Sequence, residues 1–195
     1  MAEGELYPNA TPTANWGLVG APTHHEAIDE DRASPNTGDY IFANDVMGGT
    51  DIFDFANTID DVDEITAIEV NLYYVSANAD ENPGGGVTVD INLGGWQGTK
   101  NISKPHLLAW EAFTWAGLSG SQADLDGLQV RIIESGFGPG KYIPDICNIY
   151  TMVIDVTYTA TGPAGYQHKF LGIPSAKIGK VCGIPTANVG KIKGV

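Results

Sequence analysis

The feature that most constrains this fold is a strict alternation of apolar and polar residues over short stretches. The clearest stretch runs from Val87 to Leu93, where Val, Val, Ile and Leu occupy every second position. Successive side chains of a strand point to opposite faces of a sheet, so this pattern predicts a strand with one buried and one wet face. A longer stretch, residues 65–75, places four apolar side chains on one face: Ile68, Val70, Leu72 and Tyr74.

The remaining apolar stretches are also short and are separated by turn-forming residues. They lie at residues 16–19, 39–43, 51–55, 128–134 and 149–159, with one or two more between 100 and 114. No window has the period of an amphipathic helix of ten or more residues. This predicts an all-β chain with a single antiparallel β-sandwich over residues 16–160, of jelly-roll or immunoglobulin-like topology. Residues 1–15 contain Pro8 and Pro12 and no periodic pattern, so we expect an N-terminal leader or linker.

The C-terminal segment is an internal repeat. Residues 172–181 (Gly-Ile-Pro-Ser-Ala-Lys-Ile-Gly-Lys-Val) align with residues 183–192 (Gly-Ile-Pro-Thr-Ala-Asn-Val-Gly-Lys-Ile) at an offset of eleven residues. Two copies are too few to bury a core of their own. We therefore expect residues 161–195 to form an extended arm, separate from the sandwich.

Charge divides the chain at the same place. The whole chain has a formal net charge of −14, from 10 basic and 24 acidic residues. Residues 161–195 contain five lysines and no acidic residue, which leaves a net charge of −19 in residues 1–160. Such asymmetry is typical of an interaction segment, here one that could lie on the acidic face of a neighbouring copy. The alternative is a solvated tail. The acidic body argues against a nucleic-acid partner.

The arm carries the candidate subunit-interaction residues. These are its β-prone aliphatic side chains: Ile173, Ile178, Val181, Ile184, Val189 and Ile192. An extended arm of this kind can add as a strand to an open sheet edge of another subunit, and Pro174 and Pro185 would limit the pairing to short stretches. We expect a homo-oligomer. Cys147 in the body and Cys182 in the arm are a possible disulfide, within or between subunits; the alternative is two thiols.

Two acidic or histidine-rich segments invite a metal-site hypothesis. His24 and His25 precede several carboxylates, but adjacent residues in an extended segment point apart, and a solvated loop is the simpler interpretation. Residues 60–64 contain four carboxylates that could serve calcium, although their spacing does not match an EF-hand. The alternative is a charged strand entrance. We therefore expect no metal and no cofactor.

The aromatic residues allow two interpretations. Trp96, Trp110 and Trp115, with Tyr73 and Tyr74, could form a sugar-stacking platform on an open sheet face. The alternative is that they fill the core, and the apolar neighbours of Trp110 and Trp115 favour it.

The sequence does not indicate an enzyme or a membrane protein. It contains no Gly-x-Ser-x-Gly motif and no cysteine paired by pattern with a histidine. No apolar run approaches the roughly 18 residues of a membrane span. The first residues lack the basic and apolar regions of a signal peptide, so we expect synthesis in a cytoplasm without export by such a signal.

Several segments in order resemble the β-sandwich virion proteins of tailed bacteriophages: Trp16, residues 25–30, 38–41 and 65–71, and residues 123–130 (Ala-Asp-Leu-Asp-Gly-Leu-Gln-Val). The arm is similar to the short repeats that end other phage structural proteins. The resemblance implies a non-enzymatic head, neck, collar, tail, fibre or decoration component, made in the host cytoplasm and incorporated in the virion. Its partners would then be copies of itself and other virion proteins. The alternative function, from another class, is a carbohydrate-binding module, possibly calcium-dependent.

Overall fold

The architecture comes from a computed structural model, which describes residues 1–43, 49–76, 86–102, 107–135 and 147–160, and two short strands of the arm. Within residues 1–160 the strands are β1 (Ala2–Leu6), β2 (Pro8–Thr13), β3 (Gly17–Val19), β4 (Tyr40–Phe42), β5 (Thr50–Phe55), β6 (Val62–Ser76), β7 (Gly86–Asn92), β8 (Lys100–Asn101), β9 (Ala109–Gly120), β10 (Gln129–Ser135) and β11 (Cys147–Ala160). One helical segment, α1 (Gln122–Asp126), precedes β10.

The strands form two antiparallel sheets. Sheet A has the order β3-β4-β11-β6-β9, with β1 paired to β11, and sheet B has the order β2-β5-β10-β7-β8. The chain alternates between the sheets, so that β4-β11-β6-β9 faces β5-β10-β7-β8, which is the strand order of a jelly roll. The predicted β-sandwich is confirmed, and the jelly roll is the topology found.

The core lies between the sheets and follows the predicted alternation. In β6, the side chains of Ile68, Val70, Leu72 and Tyr74 are fully buried. Val89 and Ile91 on β7 meet them from sheet B as part of one hydrophobic cluster. The other face of β6 is partly covered, because Tyr73 and Val75 are half-buried.

The helical segment α1 is a single short turn with a capped N-terminus. Ser121 caps it: its side chain accepts a hydrogen bond from the Asp124 backbone N–H, while the Asp124 carboxylate accepts one from the Ser121 backbone N–H. The Ser121 hydroxyl also donates to the Asp124 carboxylate at 2.7 Å, and this hydrogen bond, together with the one from the Ser121 backbone N–H, lowers the pKa of Asp124. Leu125 is fully buried and anchors the turn to the core.

The first 15 residues correct the expectation of a leader or linker. β1 pairs antiparallel with β11 over five residues, from Ala2–Tyr158 to Leu6–Ile154, and β2 pairs with β5. Leu6 is 1% exposed. The prolines do not prevent this, because β2 is an edge strand of sheet B, where a missing N–H is tolerated.

The segment between β3 and β4 is less solvated than its polar composition predicts. Ala27 and Ile28 are fully buried, and the Ile28 carbonyl accepts a 2.9 Å hydrogen bond from the Met152 backbone N–H. On that edge of β11, Ile28 lies between the residues paired with β4 and those paired with β1. This non-strand segment thus covers the part of the β11 edge that lies between β4 and β1.

Candidate functional site

Five aromatic rings form a continuous row on the outer face of sheet A. The aromatic row consists of Phe42, Tyr40, Tyr150, Tyr73 and Trp110. Successive ring centroids are 6.2, 5.2, 6.4 and 5.2 Å apart. The rings belong to β4, β11, β6 and β9, which are neighbours in the sheet, so the row runs across the strands.

The positions of the rings along their strands place them on the outer face of sheet A. On β4, Ile41 is fully buried, so its neighbours Tyr40 and Phe42 point outward. On β6, the buried Tyr74 turns Tyr73 outward, and the register sets Tyr73 opposite Trp110 of β9. The remaining ring, Tyr150, lies at a β-bulge between Ile149 and Thr151.

At the Phe42 end of the aromatic row, Gly17 leaves space for the Phe42 ring. A Cβ atom at Gly17 would lie 2.0 Å from the Phe42 ring. The Phe42 ring therefore rests directly on the backbone of β3, opposite Gly17 in the register. Any side chain at position 17 would displace it.

A polar cleft lies on the same outer face, further along the strands. This acidic cleft has a volume of ≈ 600 Å³ and is lined by Glu3, Gly4, Glu5, Arg32, Ala67, Glu69, Thr114, Asp155 and Thr157. On β9, the outward residues Trp110, Ala112 and Thr114 are all exposed and connect the cleft to the aromatic row. On β6, Glu69 and Tyr73 are separated by Asn71, an outward residue that is only 8% exposed. Glu69 and Tyr73 are thus about 13 Å apart along the strand at the usual rise per residue.

Hydrogen bonds hold the cleft side chains in place. The Arg32 guanidinium donates to Asp155 Oδ2 at 2.7 Å, and the Asn71 amide donates to the same oxygen at 3.0 Å. Thr114 Oγ1 donates to Glu69 Oε2 at 2.8 Å. Four carboxylates against one guanidinium give the cleft a negative charge, and the free lone pairs of these oxygens are acceptors for a donor group of a ligand.

A single carboxyl beside this surface has a strongly changed pKa. Burial is the main cause that raises the pKa of Glu30 to about 7, and the charges of Asp29 and Asp39 add to it. The Glu30 side chain lies beside the Thr151 hydroxyl, on the outer side of β11. Because desolvation explains the shift, Glu30 needs no catalytic interpretation.

The aromatic residues of the predicted platform are only partly brought together. Tyr73 and Trp110 belong to the row, but Tyr74 is fully buried and Trp115 is 6% exposed, so these two are core residues. The core interpretation was wrong for Trp110, which is 36% exposed. Sequence reasoning missed Tyr40, Phe42 and Tyr150; the available signal was their position beside the buried Ile41 and Ile149.

Trp96 does not belong to the aromatic row, and its ring already contacts a side chain of its own chain. It forms a β-bridge with Asn92 at the end of β7 in sheet B. The Arg131 guanidinium carbon lies 3.9 Å from the centroid of its ring, and Arg131 also donates to the buried Asp90 at 2.7 Å. The ring of Trp96 therefore stacks on a cation of its own chain.

The histidine and acidic segments have structural contacts. His24 Nδ1 lies 2.5 Å from Oδ2 of the fully buried Asp51. Asp51 Oδ1 accepts hydrogen bonds from the backbone N–H groups of Asn15 and Trp16 at 2.6 and 2.9 Å. Among the residues the structure describes, which include residues 24–31 and 60–64, there is no group of three or more His, Cys, Asp or Glu side chains placed to hold a metal ion.

The arm is described only in its backbone at two places. β12 (Lys180–Val181) and β13 (Ile184–Pro185) form an antiparallel pair, with Val181 opposite Ile184. The other predicted subunit-interaction residues, Ile173, Ile178, Val189 and Ile192, lie outside the described residues, as does Cys182. Cys147 is buried at the start of β11, and the predicted disulfide stays a prediction.

Comparison with known proteins gives no family. No protein-family model matches the chain, and no curated protein matches it. Among solved structures, the chain is similar to a family 35 carbohydrate binding module from an environmental isolate, with 11% identity and a TM-score of 0.39. The match covers 80% of this chain and 97% of the module. Among the described residues, no helix is long and apolar enough to cross a membrane.

Proposed function

We propose that this protein is a non-enzymatic structural component of a tailed-bacteriophage particle, which assembles as an oligomer through its C-terminal arm. The observation that carries the proposal is the division of the chain into a jelly roll of net charge −19 and a repetitive arm with five lysines and no acid. A rigid acidic domain with a basic, β-prone extension has the two parts that a self-assembling subunit needs. Its other partners would be further virion proteins.

The sandwich offers an acceptor for such an arm. β9 is twelve residues long and forms one edge of sheet A, and within the described residues it pairs with β6 alone. Long open edge strands are the sites to which an extended segment adds by backbone hydrogen bonds. The outward residues of β9 include Ala112, Thr114 and Ala116, which leave space above the edge.

The free energy of burying the arm's aliphatic side chains is sufficient for assembly when several arms bind at once. Fully burying one Val or Ile side chain contributes about 1.5–3 kcal/mol before the cost of ordering the arm. Six such side chains per arm, together with lysines against an acidic body, would hold subunits when several arms bind at once. The attraction between exposed charges acts within about 10 Å at ordinary salt, which requires direct contact.

The direct test is made in the phage whose genome encodes the chain. Particles purified on a density gradient should contain the protein in stoichiometric amount by mass spectrometry. A genome in which the codons for residues 161–195 are deleted should give particles that lack it, although the truncated domain accumulates in the lysate. Wild-type particles without the protein would refute the proposal.

Carbohydrate binding is a second candidate function, and the aromatic row favours it. Tyr and Trp rings combine an apolar face with a polar tip and are common where a ligand is apolar on one side and wet on the other. Among the residues that the structure describes, the carboxylates of residues 60–64 do not form a group of three placed to hold a metal ion, and calcium dependence of this candidate stays a prediction. Retardation of the full chain in gels that contain a polysaccharide tests it.

A further inference from the structure

We infer that the outer face of sheet A is a binding groove for a neutral polysaccharide chain. In this inference the main-chain sugar rings stack on the aromatic row, and the hydroxyl groups of the branches bind the acidic cleft. The inference rests on the second candidate function, carbohydrate binding, and is independent of the virion proposal. It goes beyond that candidate because it assigns the site, the direction of the chain and the class of glycan.

The shape of the row fits a chain and not a single small molecule. From β4 to β9 the row spans three strand spacings, about 14 Å at the usual distance between neighbouring strands. This is longer than one sugar ring, so the row can contact several consecutive rings. The rings are tilted by 33° to 60° with respect to each other, so they form a twisted platform and not a flat one.

The row is open enough to be contacted. Trp110 is 36% exposed, and Tyr40, Phe42, Tyr73 and Tyr150 are half-buried. Surface rings in contact with each other form a contiguous apolar patch, and patches of this kind are characteristic of binding sites when they are large. The apolar faces of sugar rings, which consist of C–H groups, match such a patch.

The cleft supplies the polar half of recognition. Glu69, Thr114 and Asp155 lie two outward positions, about 13 Å, along the strands from Tyr73, Trp110 and Thr151, so the branches of a chain that stacks on the row reach them and the hydroxyl groups of its main-chain sugars do not. Carboxylate oxygens accept hydrogen bonds from hydroxyl groups and fix the orientation of a ligand. Their side chains are already held by Arg32, Asn71 and one another, so little ordering is needed on binding.

Charge selects the class of glycan. Glu3, Glu5, Glu69 and Asp155 face one guanidinium in the cleft, and the body has a net charge of −19. Like charges disfavour a uronic-acid or sialylated polymer at this surface. A neutral hexose or pentose polymer meets no such repulsion.

The experiment compares two surface tryptophans of nearly equal exposure. The full chain is run in native gels that contain hydroxyethylcellulose, mixed-linkage β-glucan, galactomannan, xylan or polygalacturonate. Retardation is expected in at least one neutral polymer and not in polygalacturonate. Trp110→Ala and Tyr73→Ala should weaken it at least tenfold, and Glu69→Ala several-fold. Trp96→Ala, which changes a tryptophan 38% exposed on sheet B, should keep wild-type retardation.

The outcomes separate the inference from the function on which it rests. Retardation that is lost in Trp96→Ala but kept in Trp110→Ala leaves carbohydrate binding in place and overturns this site. Preference for polygalacturonate overturns the glycan class. No retardation by any neutral polymer refutes both. If Trp110→Ala instead changes the oligomer mass and no glycan binds, the row is a contact between copies. Trp110→Phe, which keeps a ring, should retain most of the binding and so excludes misfolding as the cause.

Discussion

At the scale of single residues, buried polar groups organise the molecule more than the sequence indicates. Asp51 is fully buried and satisfies two backbone N–H groups, while His24 covers its other oxygen. Alternation already placed Asp51 on the same face as Phe53 and Phe55, which are core residues. The partners were not predictable, since they come from residues 36, 35 and 27 positions earlier in the chain.

The raised pKa of Glu30 makes stability depend on pH. Its pKa rises from 4.5 to about 7 on folding, so the folded state binds the proton more tightly than the unfolded state. This contribution is fully present below pH 4.5 and is lost as the pH rises through about 7. Wild type should therefore lose stability between pH 4.5 and about 7, and Glu30→Gln should lose less. Urea unfolding midpoints at four pH values measure this.

A matched variant separates this effect from general surface charge. Glu26→Gln removes the same charge from an exposed position four residues earlier. It should reproduce the wild-type dependence on pH. Parallel curves for wild type and Glu30→Gln would contradict the assignment to Glu30.

At the scale of elements, strands whose residues alternate between apolar and polar were predictable from the sequence. Strands that form only because a neighbouring strand offers them an edge were not. The alternation of apolar and polar residues is visible in the sequences of β6 and β7. β1 contains Gly4 and two glutamates, so its sequence predicts a linker. It becomes a strand because β11 extends from Cys147 to Ala160 and offers an edge that β4 covers at only two residues. The row was missed for a similar reason, since it depends on which strands are neighbours.

A substitution in β1 tests whether this strand belongs to the cooperatively folded domain. Leu6→Ala should lower the free energy of unfolding by about 2–5 kcal/mol, because Leu6 ends β1 in the core and its removal leaves a cavity. Leu107→Ala is the control: that side chain is 79% exposed, and the change should stay within about 0.5 kcal/mol. Chemical denaturation of both variants measures the difference. Equal effects would mean that β1 does not belong to the cooperative unit.

At the scale of the whole molecule, the fold class and the charge division followed from the sequence, while the aromatic row and the acidic cleft did not. Composition and alternation determine that two sheets form with the aliphatic residues between them. The outer face of sheet A is assembled from β1, β4, β6, β9 and β11, which are far apart in the chain, so its row and its cleft emerge only from strand order. The arm and the outer face are tested by different experiments, although β9, the proposed acceptor edge for the arm, also carries Trp110 of the row and Thr114 of the cleft.

The most direct measurement is the molar mass of the full chain beside a chain that ends at Ala160, by size exclusion with light scattering. All strands of both sheets lie before residue 161, so the shorter chain keeps the sandwich. The account predicts a defined oligomer for the full chain, weakened by high salt, and a folded monomer for the shorter one. A mass that falls on addition of reductant would add Cys147 and Cys182 to the contact. Two folded monomers, or two identical oligomers, would contradict assembly through the arm.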